Sequence, residues 1–487
     1  MAAVLAVTAC GGRSNHHGSR SDVSGSEAGS GGTGSTRVET GGTGTALPPG
    51  GSAGTGTRPP TFEPGAPSEV LATIPTEYAN LGTTVALSGD TLAVGAPGPV
   101  GEASGDQPSG TPVPTPAVLV FRSDGANWLE EAVLSVPDLP EPDPSDAGFG
   151  VALALEGETL VVGAPYQLPT GAADCNDGCG RVHVFQRTGA EWQHEAELTP
   201  TSYEAGVQFG GAVAISDGVI VVGNPGADSN RGAVEMFARS AGSWAEIGVV
   251  QPARPLVNSA FGSAVALDHE RLAVAASGRV YVFETRPWTE WSVQSDSATP
   301  NGFFANRIAL RDDTLVVAEY AESSSAVGVN GTPAAPYPDD ASYVVHSGAA
   351  HVFRRGEAGW VKEAFLKSEK PVSEGLFGWD LALYGNTLLV AERQSEAQGE
   401  GFVAHDEDPV GPKSRGAVWV FERENTTWSI QGALKSPNGE TAFASSVGAL
   451  AISDRFVAVG AFADLTTPVD PALLGTPYAG GVFVWPW

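Results

Sequence analysis

Long apolar runs are missing from this chain of 487 residues: no stretch of about 18 consecutive apolar side chains occurs, so none of it reads as a bilayer-spanning helix. Cysteine is nearly missing as well. Three thiols are too few for a disulfide scaffold, so each has to be explained by its own position. Basic residues are scarce, 26 Lys and Arg against 56 Asp and Glu, which leaves a formal charge of -30 and a pI near 4.5. A polyphosphate would be repelled over most of such a surface, so no nucleic acid is expected as a partner. Familiar catalytic signatures are absent too: there is no H-E-x-x-H, no G-x-S-x-G elbow between a strand and a helix, no Walker loop and no cysteine with an evident base. The expectation is a protein that is not an enzyme and uses no cofactor.

What is present is a repeat. Phe149–Pro165 reads F-G-V-A-L-A-L-E-G-E-T-L-V-V-G-A-P, two short β-rich runs around a Gly-Glu turn, the pattern of a tight hairpin. Degenerate copies begin at Leu81, Phe149, Phe209, Phe261, Phe304, Phe377 and Phe443. Seven units of about 45 to 75 residues therefore fill the chain after its N-terminal stretch. Each unit shows a third strand that alternates inward and outward, as in Arg181–Phe185, Ala233–Phe237 and Ala417–Phe421. A fourth opens at a tryptophan seven residues after that phenylalanine: Phe121 to Trp128, Phe185 to Trp192, Phe237 to Trp244, Phe353 to Trp360, Phe421 to Trp428. A constant hairpin length means constant register, so these aromatics read as packing between sheets.

Four-stranded units repeated seven times without helical periodicity specify an all-β fold, a seven-bladed β-propeller, over residues 66–487. The last unit ends at Val482–Trp487, which supplies a third strand and no fourth. Glu69–Ile74 resembles the fourth strand of the first full unit and is expected to complete the last one, leaving no open edge.

Residues 11–65 are dominated by Gly, Ser, Thr and Pro and have almost nothing to bury, which reads as a disordered linker. A flexible coil of that length spans on the order of 40 Å. His16 and His17 within it have no acidic or thiol companion and read as solvated. Before the linker, residues 1–10 end in V-T-A-C, and Val7-Thr8-Ala9-Cys10-Gly11 resembles a bacterial lipobox, in which the cysteine is lipidated. That resemblance implies a lipid anchor at Cys10 and a membrane as partner, at the bacterial outer membrane or cell surface. Only nine residues precede Cys10 and none is basic, so the signal peptide is expected to start upstream of Met1.

The phrase F-G followed by G-A-P resembles the FG-GAP repeat of integrin α-subunit propellers and of many bacterial exported proteins. Phe149-Gly150 with Gly163-Ala164-Pro165 is the best copy, Gly95-Ala96-Pro97 keeps its second half and Gly223-Asn224-Pro225 nearly does. The resemblance covers about residues 69–487 and implies the propeller fold. In the integrin-like pattern an acidic calcium loop often lies between F-G and G-A-P. Here those turns are cut to Ser88-Gly89-Asp90, Glu156-Gly157-Glu158 and their counterparts, too short to wrap six oxygens round an ion, so no metal is expected. Cys175, Cys179 and His183 lack a fourth zinc ligand, and an exported protein is expected to join Cys175 and Cys179 as a disulfide.

The repeat breaks at two adjacent units. Where others have G-A-P, the fifth has Ala318-Glu319-Tyr320 and the sixth Ala391-Glu392-Arg393; where others open with small residues, they have Asn306-Arg307 and Trp379-Asp380. Glu319, Tyr320, Glu392, Arg393, Arg307, Trp379 and Asp380 are thus expected near one another at the mouth, as a polar-ligand or glycan site. The plainer alternative is that Arg307 and Arg393 neutralise Glu319 and Glu392 as structural ion pairs. Paired carboxylates are also the equipment of a glycoside hydrolase, the least favoured reading. Long insertions between the second and third strands of the first, fifth, sixth and seventh units are expected on one face of the ring, where loops bind partners. The function expected is that of a monomeric binding or adhesion module for a glycan, peptide or envelope component, with a structural envelope scaffold as the alternative.

Overall fold

In a computed structural model the chain is described over residues 64–70, 81–98, 116–136, 148–167, 179–201, 208–285, 288–294, 304–331, 343–395, 401–404, 416–435, 449–461 and 481–487. Cys10, His16, His17, Cys175 and most of the linker lie outside these residues.

Seven antiparallel sheets follow one another along the chain. The first blade comprises Thr84–Ser88, Thr91–Ala96, Ala117–Ser123 and Trp128–Leu134; the second, Ala152–Glu156, Thr159–Ala164, Arg181–Thr188 and Glu191–Leu198; the third, Val213–Ser216, Val219–Asn224, Ala233–Ser240 and Ser243–Val250. The fourth comprises Val265–Asp268, Arg271–Ala276, Arg279–Thr285 and Trp288–Gln294; the fifth, Phe304–Arg311, Thr314–Glu319, Ala349–Gly356 and Gly359–Leu366; the sixth, Leu381–Tyr384, Thr387–Glu392, Ala417–Glu424 and Thr427–Lys435. The seventh has Leu450–Ile452, Phe456–Ala461 and Gly481–Pro486, and takes its outer strand, Ser68–Val70, from the other end of the domain. Ser68 pairs with Val484, Glu69 with Phe483 and Val70 with Val482, the closure expected from the sequence. The inner strands of successive blades touch all the way round, the seventh against the first, so the ring is closed.

The two halves of the repeat phrase meet at each regular seam. Gly150 and Gly210 have φ of +91° and +89°, a region that favours glycine. Their carbonyls press on Gly95 and Gly163 of the preceding blade so closely that a Cβ there would clash with backbone. F-G and G-A-P are thus the two sides of one blade-to-blade contact. The F-G phenylalanines Phe149, Phe209, Phe261 and Phe377 are fully buried. Each meets the third-strand phenylalanine of its own blade edge to face, at centroid distances of 6.0 to 6.3 Å.

At the other end of the inner strands, the last residue of each caps the neighbouring turn. Ser88 accepts from the Gly157 N–H, Glu156 from Asp217 and Gly218, Ser216 from His269, and Asp268 from Asp312. The circle continues with Arg311 stacked on Tyr384 at 5.1 Å, Tyr384 edge-on to Trp487, and an Arg455–Asp90 ion pair back to the first blade.

The outer strands explain the repeating tryptophans. In the first, second, third, fifth and sixth blades a β-bulge sets one residue out of register: Glu131, Glu195, Ile247, Glu363 and Gln431. Where it is glutamate it clasps the next blade. Glu131 accepts from Arg187 Nε at 3.0 Å and Trp192 Nε1 at 3.1 Å; Glu195 accepts from Arg239 and from Trp244 Nε1 at 3.0 Å; Glu363 accepts from Trp428 Nε1 at 2.8 Å with Arg423 3.6 Å away.

The insertions of the fifth and sixth blades differ from expectation. Their described parts turn back to pair with the outer strand of their own blade. Gly401–Ala404 adds a fifth strand to the sixth blade, Phe402 opposite Leu434 and Val403 opposite Ala433. In the fifth, Asn330 N–H donates to Phe365 O at 2.7 Å and Lys367 N–H to Gly328 O at 2.9 Å. These segments cover sheet edges that would otherwise leave backbone polar groups unpaired.

Candidate functional site

The start of an inner strand and the end of the second strand lie side by side in every blade, so the four breaks in the repeat converge. Tyr320 directly follows the second strand of the fifth blade, and its ring lies 5.4 Å from that of Trp379 in the sixth. The Arg393 guanidinium sits over the same indole at 4.7 Å, a cation–π contact. Beside this stack Arg307 Nε is 3.4 Å from Asp380 Oδ1, with side chains 46% and 15% exposed. Asp380 Oδ2 also accepts from the Leu450 N–H at 2.8 Å, so one carboxylate links the fifth, sixth and seventh blades. Burial pushes the Asp380 carboxyl up to about 6, against the Arg307 charge and the backbone donors. Burial likewise raises Tyr320 and lowers Arg393. Among the described residues, Trp379 Nε1 and Asn306 Oδ1 are enclosed without a hydrogen-bond partner. They occupy equivalent positions in the two blades, one a donor and the other an acceptor.

Five of the seven candidate residues therefore form one surface. The other two, Glu319 and Glu392, are fully buried behind it. Glu319 accepts from His351 Nε2 at 2.9 Å and Glu392 from Trp419 Nε1 at 2.6 Å. The partners are thus third-strand side chains, with Arg307 turned to Asp380 and Arg393 stacked on Trp379. Two lysines that the sequence did not single out complete this interior. Lys367 Nζ meets Glu322 and donates to Ser347 Oγ at 2.7 Å, and Lys435 Nζ donates to Gly416 O at 2.6 Å. Burial lowers Lys367, and it lowers Lys435 to about 8 against the nearby Glu392. Burial pushes Glu392 up to about 7, although Trp419, Ser395, Ser368 and Lys435 all favour its anion.

Chemically the two layers differ. The outer one offers aromatic faces, guanidinium donors and a carboxylate to a polar ligand. The inner carboxylates cannot reach a glycosidic bond, and Ser347 beside Lys367 is equally enclosed. The third-strand position of His351 and Trp419 is polar elsewhere too. In the second blade His183 bonds Gln167 at 2.8 Å and His194 at 3.1 Å, and burial, aided by His194 and Arg181, holds it down to about 3. In the third, Glu235 accepts from Asn224 at 3.0 Å and from Thr201. His183 is thus a neutral packing histidine. Cys179 is buried and disulfide-bonded, and its expected partner Cys175 lies outside the described residues. No group of three His, Cys, Asp or Glu converges among the described residues.

The axis of the ring holds a cavity of about 290 Å³ lined by Ala, Val, Leu and Ile of the inner strands, such as Leu155, Ile215, Leu383 and Ile452. None of its lining side chains is polar. No helix of the described residues is long and apolar enough to cross a membrane.

A model of the FG-GAP repeat matches residues 192–237. The match runs from the outer strand of the second blade through Phe209-Gly210 and Gly223-Asn224-Pro225 to Phe237, so the unit of sequence straddles a seam between blades. None of the curated proteins matches the chain. Among solved structures it is similar to Hsv2 of Kluyvelomyces marxianus, at 14% identity and a TM-score of 0.34, over 65% of this chain and 82% of that one.

Proposed function

We propose that this seven-bladed propeller with its FG-GAP repeat is a non-enzymatic binding module whose ligand, a glycan before a peptide or other envelope component, is taken at the irregular face of the fifth and sixth blades. The observation that carries the reading is the Tyr320–Trp379–Arg393 stack beside the Arg307–Asp380 pair. Aromatic faces suit the apolar face of a sugar ring, and a planar guanidinium next to a carboxylate supplies directional donors and acceptors for its hydroxyls. In every other described blade the counterparts of Arg307 and Asp380 are small: Thr84, Ala152, Ala212, Ala264 and Ala449. Elaboration of one position in two adjacent blades of a rigid scaffold is what a single recognition site requires. In the same proposal Cys10 carries the lipid anchor and residues 11–65 give the propeller reach from a bacterial outer membrane or cell surface.

The test is binding of the full chain to a glycan array and to envelope fractions, beside a Trp379→Ala variant of matched thermal midpoint. Retention on a glycan that the variant loses by at least tenfold supports the reading. Equal retention of both proteins, or retention of neither, overturns it.

A further inference from the structure

One outer seam lacks the clasp that fastens its neighbours. At the bulge position that is Glu131, Glu195 or Glu363 elsewhere, the third blade has Ile247, and the fourth has Thr285 where the others have Arg187, Arg239 and Arg423. Ile247 is 54% exposed and Val249, two residues on, 48%; Leu256 and Val257, in the connection to the fourth blade, are 55% and 63% exposed. Four large aliphatic side chains stand in water within eleven residues, where the fold elsewhere puts an ion pair.

The sixth blade shows what this edge can accept. It also has no glutamate at its bulge, where Gln431 sits, and the half-strand beyond that residue is covered by Gly401–Ala404. The Val403 carbonyl and the Phe402 ring lie directly over Gly432. The equivalent half-strand of the third blade is Gly248–Gln251, and the two match in detail. Gln251 Nε2 donates to Gly232 O at 3.3 Å as Lys435 Nζ does to Gly416 O. Over Gly248, however, none of the described residues lies within 4 Å of the place a Cβ would take. One edge is covered by the chain's own strand; the other is bare among the described residues.

We infer that the bare edge is an interaction surface, and that its occupant is an extended apolar segment of a partner protein flanked by basic residues. It adds as a fifth strand antiparallel to Gly248–Gln251, one side chain opposite Val249 as Val403 is opposite Ala433, with Leu256 and Val257 widening the apolar contact. Charge decides the flanks. The exposed carboxylates of Glu246 and Glu290 border the patch, Glu290 holding the Ala253 N–H at 2.8 Å, and Arg254 is the one cation in the connecting loop. A second copy would bring another -30 of charge to the contact, which disfavours self-pairing.

The experiment uses the full chain and a fluorescent synthetic peptide in which Gly-Phe-Val-Ala lies between paired lysines, read by anisotropy. The expected result is saturable binding that Val249→Lys and Ile247→Glu each weaken at least tenfold, and that Leu129→Lys, at an exposed aliphatic position on the first blade, leaves unchanged. A peptide with Gly-Phe-Pro-Ala, which lacks one backbone donor, is expected to bind at least tenfold more weakly. Equal binding by the Val249→Lys and Leu129→Lys variants, or none at millimolar peptide, overturns the inference. So does sedimentation showing a dimer that Val249→Lys dissolves, since the occupant is then a second copy. Binding to vesicles with half anionic lipid that Val249→Lys abolishes, without peptide binding, overturns it in favour of a membrane surface.

Discussion

The seam between the first and second blades and the seam between the fifth and sixth solve the same problem with opposite chemistry. In the first, glycine meets glycine in the interior and charge stays at the rim, in the Glu131–Arg187–Trp192 clasp. In the second, Ala318 replaces the glycine of G-A-P, and a buried carboxylate follows it in each blade, answered by His351 or Trp419. The rim clasp is kept there through Glu363, so the outside is regular and the inside is not. A repeat fold can thus be rebuilt at its inner face without losing closure, because rim and interior are fastened independently.

The comparison breaks most sharply at the glycines. Gly163→Ala would place a Cβ against the Gly210 carbonyl, backbone that can yield only by moving a blade, and is expected to cost about 3–5 kcal/mol. Ala318→Gly, at the equivalent position of the fifth blade, only removes a methyl and is expected to cost about 1 kcal/mol. Chemical denaturation of the two variants measures the difference; equal losses would mean that the glycine contact does not set blade spacing.

Protonation separates the two seams by sign. Glu392 ionises near 4.5 when unfolded and at about 7 in the fold, so the folded state holds its proton more tightly. Its contribution is therefore intact below pH 4.5 and is lost as pH rises through 7, a loss of up to about 3 kcal/mol. Glu131 runs the other way. Burial pushes it up, but Arg187 and Trp192 outweigh that and leave it below its ordinary value, so its contribution is present at neutral pH and is lost on acidification. Unfolding free energy measured from pH 4.5 to 7 is expected to fall less steeply with pH for Glu392→Gln than for the natural chain. A parallel pair of curves would refute the buried-anion account.

The smallest effect is at the rim. Glu131→Gln keeps an acceptor for Trp192 but loses the ion pair, in which both side chains are close to 12% exposed, and is expected to cost roughly 1–3 kcal/mol at neutral pH. Gln431→Glu, at the bulge of the sixth blade, has no such clasp to complete and is expected to change stability by less than about 0.5 kcal/mol. Thermal midpoints of both report whether the clasp depends on its partners or on the bulge alone.

The fold was legible because periodicity states it: the Phe-to-Trp spacing predicts the outer hairpin, and the unmatched strand at each end predicts closure by Glu69–Ile74, met in the pairing of Ser68–Val70, with residues 71–74 outside the described ones. The clasp was also written in the sequence, as Trp-x-x-Glu at Trp128, Trp192 and Trp360, but only pairing register shows that this glutamate is the bulged residue. The site was legible in part. Breaks in the repeat pointed to Arg307, Tyr320, Trp379, Asp380 and Arg393, which lie beside one another through the Tyr320–Trp379–Arg393 stack and the Arg307–Asp380 pair. They placed Glu319 and Glu392 there too, although the matching Ala96, Ala164 and Ala276 are small and apolar, the mark of a buried position. Their partners sit across the sheet, on a diagonal that depends on register, and no sequence spacing announces it. The returning insertions were illegible for a similar reason, since length alone does not say whether a loop projects or folds back.

Closure by Ser68–Val70 has a mechanical side. Among the described residues, tension applied from the N-terminal end of the chain meets three residue pairs and the Gly65 N–H to Pro486 O bond where it enters the ring. A pull from that end is therefore expected to part these pairs first, opening the seventh blade while the other six keep their sheets.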